Sequence, residues 1–205
     1  ADIVGDATAK SNGGKANVGV VLKDKTLDGN GYAIDITTAK ANSYDSVILT
    51  TGGTIKNATI GGQMRGIYVQ QGLTSPLIVD NVILDNVAYP FNLNTTANTQ
   101  DITFTNSTLN GWTSYSGGSY QVTFTNCKFG KGTGAWAYAY LRPYTTTTLE
   151  NCDFEAGFII DVAQLDTNAK TITFKNCTLD GTPITAANVM NLLEVGNTLN
   201  SIVVL

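Results

Sequence analysis

Residues 135–142 read Ala-Trp-Ala-Tyr-Ala-Tyr-Leu-Arg, and this alternation is the clearest chemical signal in the chain. A strand sends successive side chains to opposite faces, so Trp136, Tyr138, Tyr140 and Arg142 would share one face. Facing outward, they form a row of rings that ends in a cation. Such rings stack on the flat, apolar faces of sugars, while nearby amides and hydroxyls bond sugar hydroxyls. Facing inward, they are core and no site exists. Inward positions elsewhere hold nothing larger than Phe, and three large rings in one strand would overfill a narrow interior. Outward is the expected orientation, with Asn92 and Asp161 as flanking polar groups from neighbouring coils. Trp112, Tyr115, Tyr120 and Tyr144 concentrate further aromatic character in the same stretch.

Other chemistry is sparse. The chain has no His, which removes the commonest general base and metal ligand and every Ser-His or Cys-His pair. Arg65 and Arg142 are its only arginines. The net charge is −4 and no basic block occurs, so nucleic acid is not an expected partner. No apolar run approaches the ~20 residues a membrane-spanning helix needs. The sequence opens at Ala1 without a basic, apolar leader, so an export signal is expected to have been removed or never present.

Aligning Asn57, Asn81, Asn106, Asn126, Asn151 and Asn176 gives spacings of 24, 25, 20, 25 and 25 residues. Two residues before each stands Ile55, Val79, Phe104, Phe124, Leu149 or Phe174; three after stands Ile60, Leu84, Leu109, Phe129, Phe154 or Leu179. Ile102-x-Phe104 alternates as a strand, Asn106 breaks the alternation, and Ser107-x-Leu109 resumes it. A third strand is expected about ten residues later, at 66–69, 90–93, 136–141 and 158–161. Three short strands and three bends make one coil of a solenoid, and coils stack at ~4.8 Å. The bend Asn tolerates left-handed backbone geometry, and its amide can reach the Asn of the next coil, which makes the six a structural ladder.

Cys127, Cys152 and Cys177 each follow a ladder Asn, where other coils have Ala58, Val82 and Ser107. The expected arrangement is a stack of buried, reduced thiols. Parallel Cβ vectors suit a disulfide poorly, and no His or acid falls in register to complete a metal site. Cys152→Ser is expected to cost roughly 1–3 kcal/mol, for want of a partner for the hydroxyl. Thr54, Thr103, Thr123, Thr148 and Thr173 form an outward rank; it is read as ordinary strand surface rather than an ice-binding face, because Ile78, Lys56, Asp80, Glu150 and Lys175 interrupt it.

The run Ile172-Thr-Phe-Lys-Asn-Cys-Thr-Leu and its relatives at 102–109 and 122–129 resemble the coil signature of the pectate-lyase-like β-helix superfamily, and Thr26-Leu-Asp-Gly-Asn-Gly resembles its opening coil. The resemblance, over roughly residues 26–200, implies a fold rather than an activity, since the superfamily holds lyases, hydrolases, phage spikes, adhesins and binding proteins. In its lyases and hydrolases the sheet that would carry the aromatic row holds the polysaccharide groove. The Asn-x-Asp, Asp-Asp and Gly-His-Gly motifs of the pectin hydrolases are missing. Leu141-Arg142-Pro143 faintly resembles the Arg-x-Pro neighbourhood of one lyase family, without the second Arg or the calcium-binding Asp cluster.

The expectation is one all-β domain, a right-handed single-stranded parallel β-helix of about six to seven coils of about 25 residues. Residues 1–45 would supply an N-terminal cap and first coil, with Val18–Leu22 a cap strand; 46–185 the regular coils; and 186–205 a last coil or C-terminal cap. The expected function is non-catalytic binding of a glycan or polysaccharide, in a secreted or cell-surface protein of bacterial or phage origin with neighbouring modules. A structural or adhesive solenoid is the alternative, and a polysaccharide lyase using Arg142 a second one. No cofactor or metal is expected, save calcium if the protein is a lyase.

Overall fold

The structure is a computed structural model that describes residues 16–35, 44–62, 64–133 and 137–205. Those residues form a parallel β-solenoid of about six turns. One sheet has seven strands in chain order: Val18–Leu22, Ser46–Thr50, Arg65–Val69, Tyr89–Leu93, Trp112–Tyr115, Tyr140–Pro143 and Ile159–Ile160. A second sheet of fourteen strands has two arms that meet at the Asn bend. Gly53–Gly61 and Leu77–Leu84 run unbroken through that bend and fuse the arms; later coils split into pairs such as Ile102–Thr105 and Thr108–Asn110. Three strand segments per coil therefore give two sheets, because two of the segments are joined through the bend.

The bend works as its residues dictate. Asn57, Asn81, Asn106, Asn126, Asn151 and Asn176 all have φ between 50° and 54°, a region Asn enters more readily than other residues bearing a Cβ. The ladder lies on the outside and runs in two sections. Asn57 Nδ2 donates to Asp28 Oδ1 (3.1 Å) and Asn81 Nδ2 to Asn57 Oδ1 (2.9 Å). Asn106 then donates to Asp80 Oδ1 (3.0 Å) instead of to Asn81, and the links from Asn126 to Asn106 and from Asn151 to Asn126 follow at 3.2 Å.

Inside, like sits on like. Val79, Phe104, Phe124, Leu149 and Phe174 occupy one register column, and the Phe104 and Phe124 rings stack at 5.0 Å. Phe129 and Phe154 stack at 4.9 Å. Cys127, Cys152 and Cys177 are buried, unbridged thiols. Each donates to the carbonyl two residues back: Cys127 to Thr125, Cys152 to Glu150 and Cys177 to Lys175, at 3.4–3.5 Å. Ser107, one coil earlier in the column, does the same to Thr105 at 2.7 Å. That corrects the cost expected for Cys152→Ser, because the column already supplies a hydroxyl's partner. Contact with Cys127 and Cys177, together with burial, pushes the Cys152 thiol up, so it stays protonated.

The two ends are built differently. Val18–Leu22 is a strand, as expected, and it is the first of the seven-stranded sheet, paired parallel with Ser46–Thr50. Of the expected cap and first coil, residues 1–15 and 36–43 lie outside the described residues. At the other end a 3-10 helix, Val189–Leu192, precedes the strand Ile202–Val204, which pairs parallel with Ile172–Lys175.

Candidate functional site

The outer surface of the seven-stranded sheet collects the residues of interest in ranks set by strand register. Tyr68, Asn92, Ser114 and Arg142 follow one another across four adjacent strands. Trp112 pairs with Tyr140 in the rank beside them. Leu141 and Pro143 are buried while Tyr140 and Arg142 are half-buried, so the alternation holds across this strand with the ring and the cation outward. The strand is shorter than expected. It begins at Tyr140, and residues 137–139 form a loop held by the Gly132 N–H to Tyr138 carbonyl bond of 2.7 Å. Trp136 lies outside the described residues.

Trp112 is the hub of the face. Its ring centroid lies 5.4 Å from Tyr89, 5.4 Å from Tyr138 and 5.1 Å from Tyr140. The Arg142 guanidinium carbon sits 4.8 Å from the Trp112 ring and 5.5 Å from that of Tyr144, so cation–π contacts fix its position. Gly111 makes the placement possible: its φ is +132°, and a Cβ there would meet Pro90 Cδ at 2.8 Å. Toward the start of the solenoid, Arg65 is enclosed by Tyr44, Tyr68 and Tyr89, with its guanidinium carbon 4.6–5.1 Å from the three rings. Burial lowers its pKa from the ordinary arginine value and raises that of Tyr68.

Between the two arginines lies a polar cleft of about 240 Å³. Asn92 and Ser114 contribute to it from the middle strands, Arg65 and Tyr89 from one end, and Arg142 and Tyr144 from the other. No Asp or Glu is among its lining residues. Asn92 is 7% exposed; its Nδ2 donates to the Ser114 carbonyl at 3.3 Å, while its Oδ1 is buried without a partner among the described residues. Arg142 Nε and Trp112 Nε1 are likewise buried and unpartnered. Six such atoms occur among the described residues, and three of them lie on this face. Proteins satisfy nearly all their buried polar groups, so this concentration sets the face apart from the rest of the described surface.

Other expected site residues have different duties. The Tyr140 hydroxyl donates to Glu194 Oε2 at 2.5 Å, and burial followed by this carboxylate raises its pKa. Asp161 follows Arg142 on the next coil, but its Oδ1 accepts the Ala163 N–H at 3.1 Å at the entry to the short helix Ala163–Thr167. Among the described residues it makes no ion pair with Arg142. Tyr138, 38% exposed, presents a more accessible ring than the half-buried Tyr140. Tyr115 and Tyr120 are core, with the Tyr115 hydroxyl 2.8 Å from Thr147 Oγ1.

Sequence reasoning missed Trp112 as the hub, and missed Arg65, Tyr89 and Ser114 as members of the face. Counting from each ladder Asn hides the register. Tyr68, Asn92, Ser114 and Arg142 fall 11, 11, 8 and 16 residues after Asn57, Asn81, Asn106 and Asn126, yet share one rank. The available signal was that both arginines of the chain precede a buried strand residue on the third side of their coils. Among the described residues no group of three or more Cys, Asp or Glu is arranged to hold a metal ion. Comparison with protein-family models, with curated proteins and with solved structures found no match.

Proposed function

We propose that this protein binds a glycan, without catalysis, on the outer face of its seven-stranded sheet. The observation that carries the reading is the coincidence of Trp112 Nε1, Asn92 Oδ1 and Arg142 Nε, all buried and unpartnered, with the accessible Tyr138 ring. A sugar offers what such a surface lacks: an apolar ring face for stacking, and hydroxyls that both donate and accept. Parallel strands keep the groups at fixed spacings, so little ordering is needed on binding. The resemblance to the pectate-lyase-like superfamily, whose grooves lie on the corresponding sheet, supports the same reading, and the proposal includes a secreted or cell-surface setting with neighbouring modules.

A glycan-array screen followed by calorimetry tests it. Tyr138→Ala is expected to weaken binding of the best sugar by about 1–2 kcal/mol and to change stability by less than about 0.5 kcal/mol. Failure of every sugar to bind would exclude the reading. A lyase rests on Arg142 alone and would reveal itself by unsaturated uronides absorbing in the ultraviolet. An adhesive solenoid rests on the fold resemblance alone, since the superfamily also holds adhesins and phage spikes.

A further inference from the structure

The arm of the long sheet that precedes the Asn bend presents a second face, away from the seven-stranded sheet. Its strands pair parallel and in register from Lys25–Asp28 to Ile202–Val204. The outward rank that runs from Thr26 through Thr54, Ile78 and Thr103 to Val203 is β-branched at every strand. The rank two residues further along carries the charge. It reads Asp28, Lys56 and Asp80 over the first three strands, then the neutral Thr105 and Thr125, then Glu150 and Lys175. All of these side chains are exposed or half-buried.

Reversed about its fourth strand and laid face to face on itself, this order is its own complement. Asp28 comes over Lys175 of the second copy and Lys56 over Glu150 of the second copy, each pair occurring twice by symmetry. Within the chain Lys56 Nζ stands 3.3 Å from Asp28 Oδ2, and Glu150 is the register neighbour of Lys175. The four charges therefore form a square in which every neighbour has the opposite sign. Asp80 meets a Thr125 hydroxyl, while Thr103 and Thr105 meet their own copies on the axis. A slip of one coil destroys the match: one direction sets Lys56 over Lys175 and Asp80 over Glu150, the other sets Asp28 over Glu150. A two-fold axis along the solenoid keeps the coil order, so each charge meets its own copy or the β-branched rank. Like charges across an interface cost enough to exclude these alternatives.

We infer that this face is an isologous interface, on which a second copy of the chain packs antiparallel about a two-fold axis crossing Thr103 and Thr105. Six coil spacings by four strand residues give a footprint of roughly 29 Å by 13 Å. That is small for a protein interface, so the dimer is weak and reversible. The face is separate from the seven-stranded sheet, and the inference stands independently of glycan binding.

Sedimentation velocity of the full chain over a range of concentrations tests it. A monomer–dimer equilibrium is expected, with the dissociation constant rising at least tenfold from low to high salt. Lys56→Glu and Glu150→Lys should each weaken the dimer at least tenfold, because each sets like charges face to face twice. Mixed together, the two variants should restore it, since each supplies the charge the other lacks. Positions 56 and 150 lie four coil spacings apart in one chain, roughly 19 Å, so the restored contact runs between chains. Thr103→Glu sets two carboxylates against each other on the axis and should leave a monomer whose thermal unfolding is unchanged. Thermal unfolding also shows whether the charge variants are folded; should either fail, Thr103→Glu decides alone. A chain that stays monomeric at about 1 mM overturns the inference. So does a dimer that tolerates Thr103→Glu, or one that mixing the two folded charge variants does not restore.

Discussion

The bend arms of the long sheet and the outer face of the seven-stranded sheet are built by the same coils, yet they treat polar groups oppositely. At the bend, residues of one kind repeat in columns, and several find their partners there. Asn126 bonds Asn106, Asn151 bonds Asn126, and the thiols of Cys127, Cys152 and Cys177 use the same carbonyl two residues back. On the outer face the rank Tyr68, Asn92, Ser114, Arg142 changes chemistry at every step, and two of its members keep an unpartnered buried atom. Repetition in a solenoid satisfies the chain internally, because each coil is the template for the next. A rank that abandons repetition gives up that satisfaction, and the unmet groups are what a ligand can use.

The contrast can be broken by mutation, and the effects should separate into stability on one side and binding on the other. Phe124→Ala removes a ring stacked on Phe104 and in edge contact with Phe129, and should destabilise the fold by about 3–5 kcal/mol in chemical denaturation. Sugar affinity of the folded fraction should be unchanged. Asn126→Ala places a Cβ-bearing residue without a compensating amide at φ 54° and cuts two ladder bonds. It should cost about 1–2 kcal/mol, again with binding intact. Tyr138→Ala should show the reverse, a loss of about 1–2 kcal/mol in affinity with little change in the unfolding midpoint. Cys152→Ser should be the mildest, below about 1 kcal/mol, since Glu150 offers the carbonyl that Thr105 offers Ser107. If Cys152→Ser proves as damaging as Phe124→Ala, the column does not supply partners as described.

This division also explains what could be read in advance. The ladder, the Phe columns and the thiol stack were legible because a column in space is a period in sequence, and Asn106 to Asn126 kept its role despite a spacing of 20. That short spacing hid the strand Trp112–Tyr115: Trp112 lies six residues after Asn106, whereas its register partner Tyr140 lies fourteen after Asn126. Alternation at 138–142 identified Tyr140 and Arg142 as sharing a face with Tyr138, but it is silent on what lies beside them. Arg65, Tyr89 and Trp112 reach the same face from other coils through loops of unequal length, and loop length carries no register.

The most direct test uses the Trp136→Phe variant, which keeps an aromatic ring at that position and leaves Trp112 as the sole tryptophan of the chain. The best-binding sugar is titrated against it while fluorescence is followed. The account predicts a saturable shift or quenching of Trp112 emission with the midpoint found by calorimetry. Sugar binding that leaves Trp112 emission unmoved would place the ligand elsewhere and contradict the account.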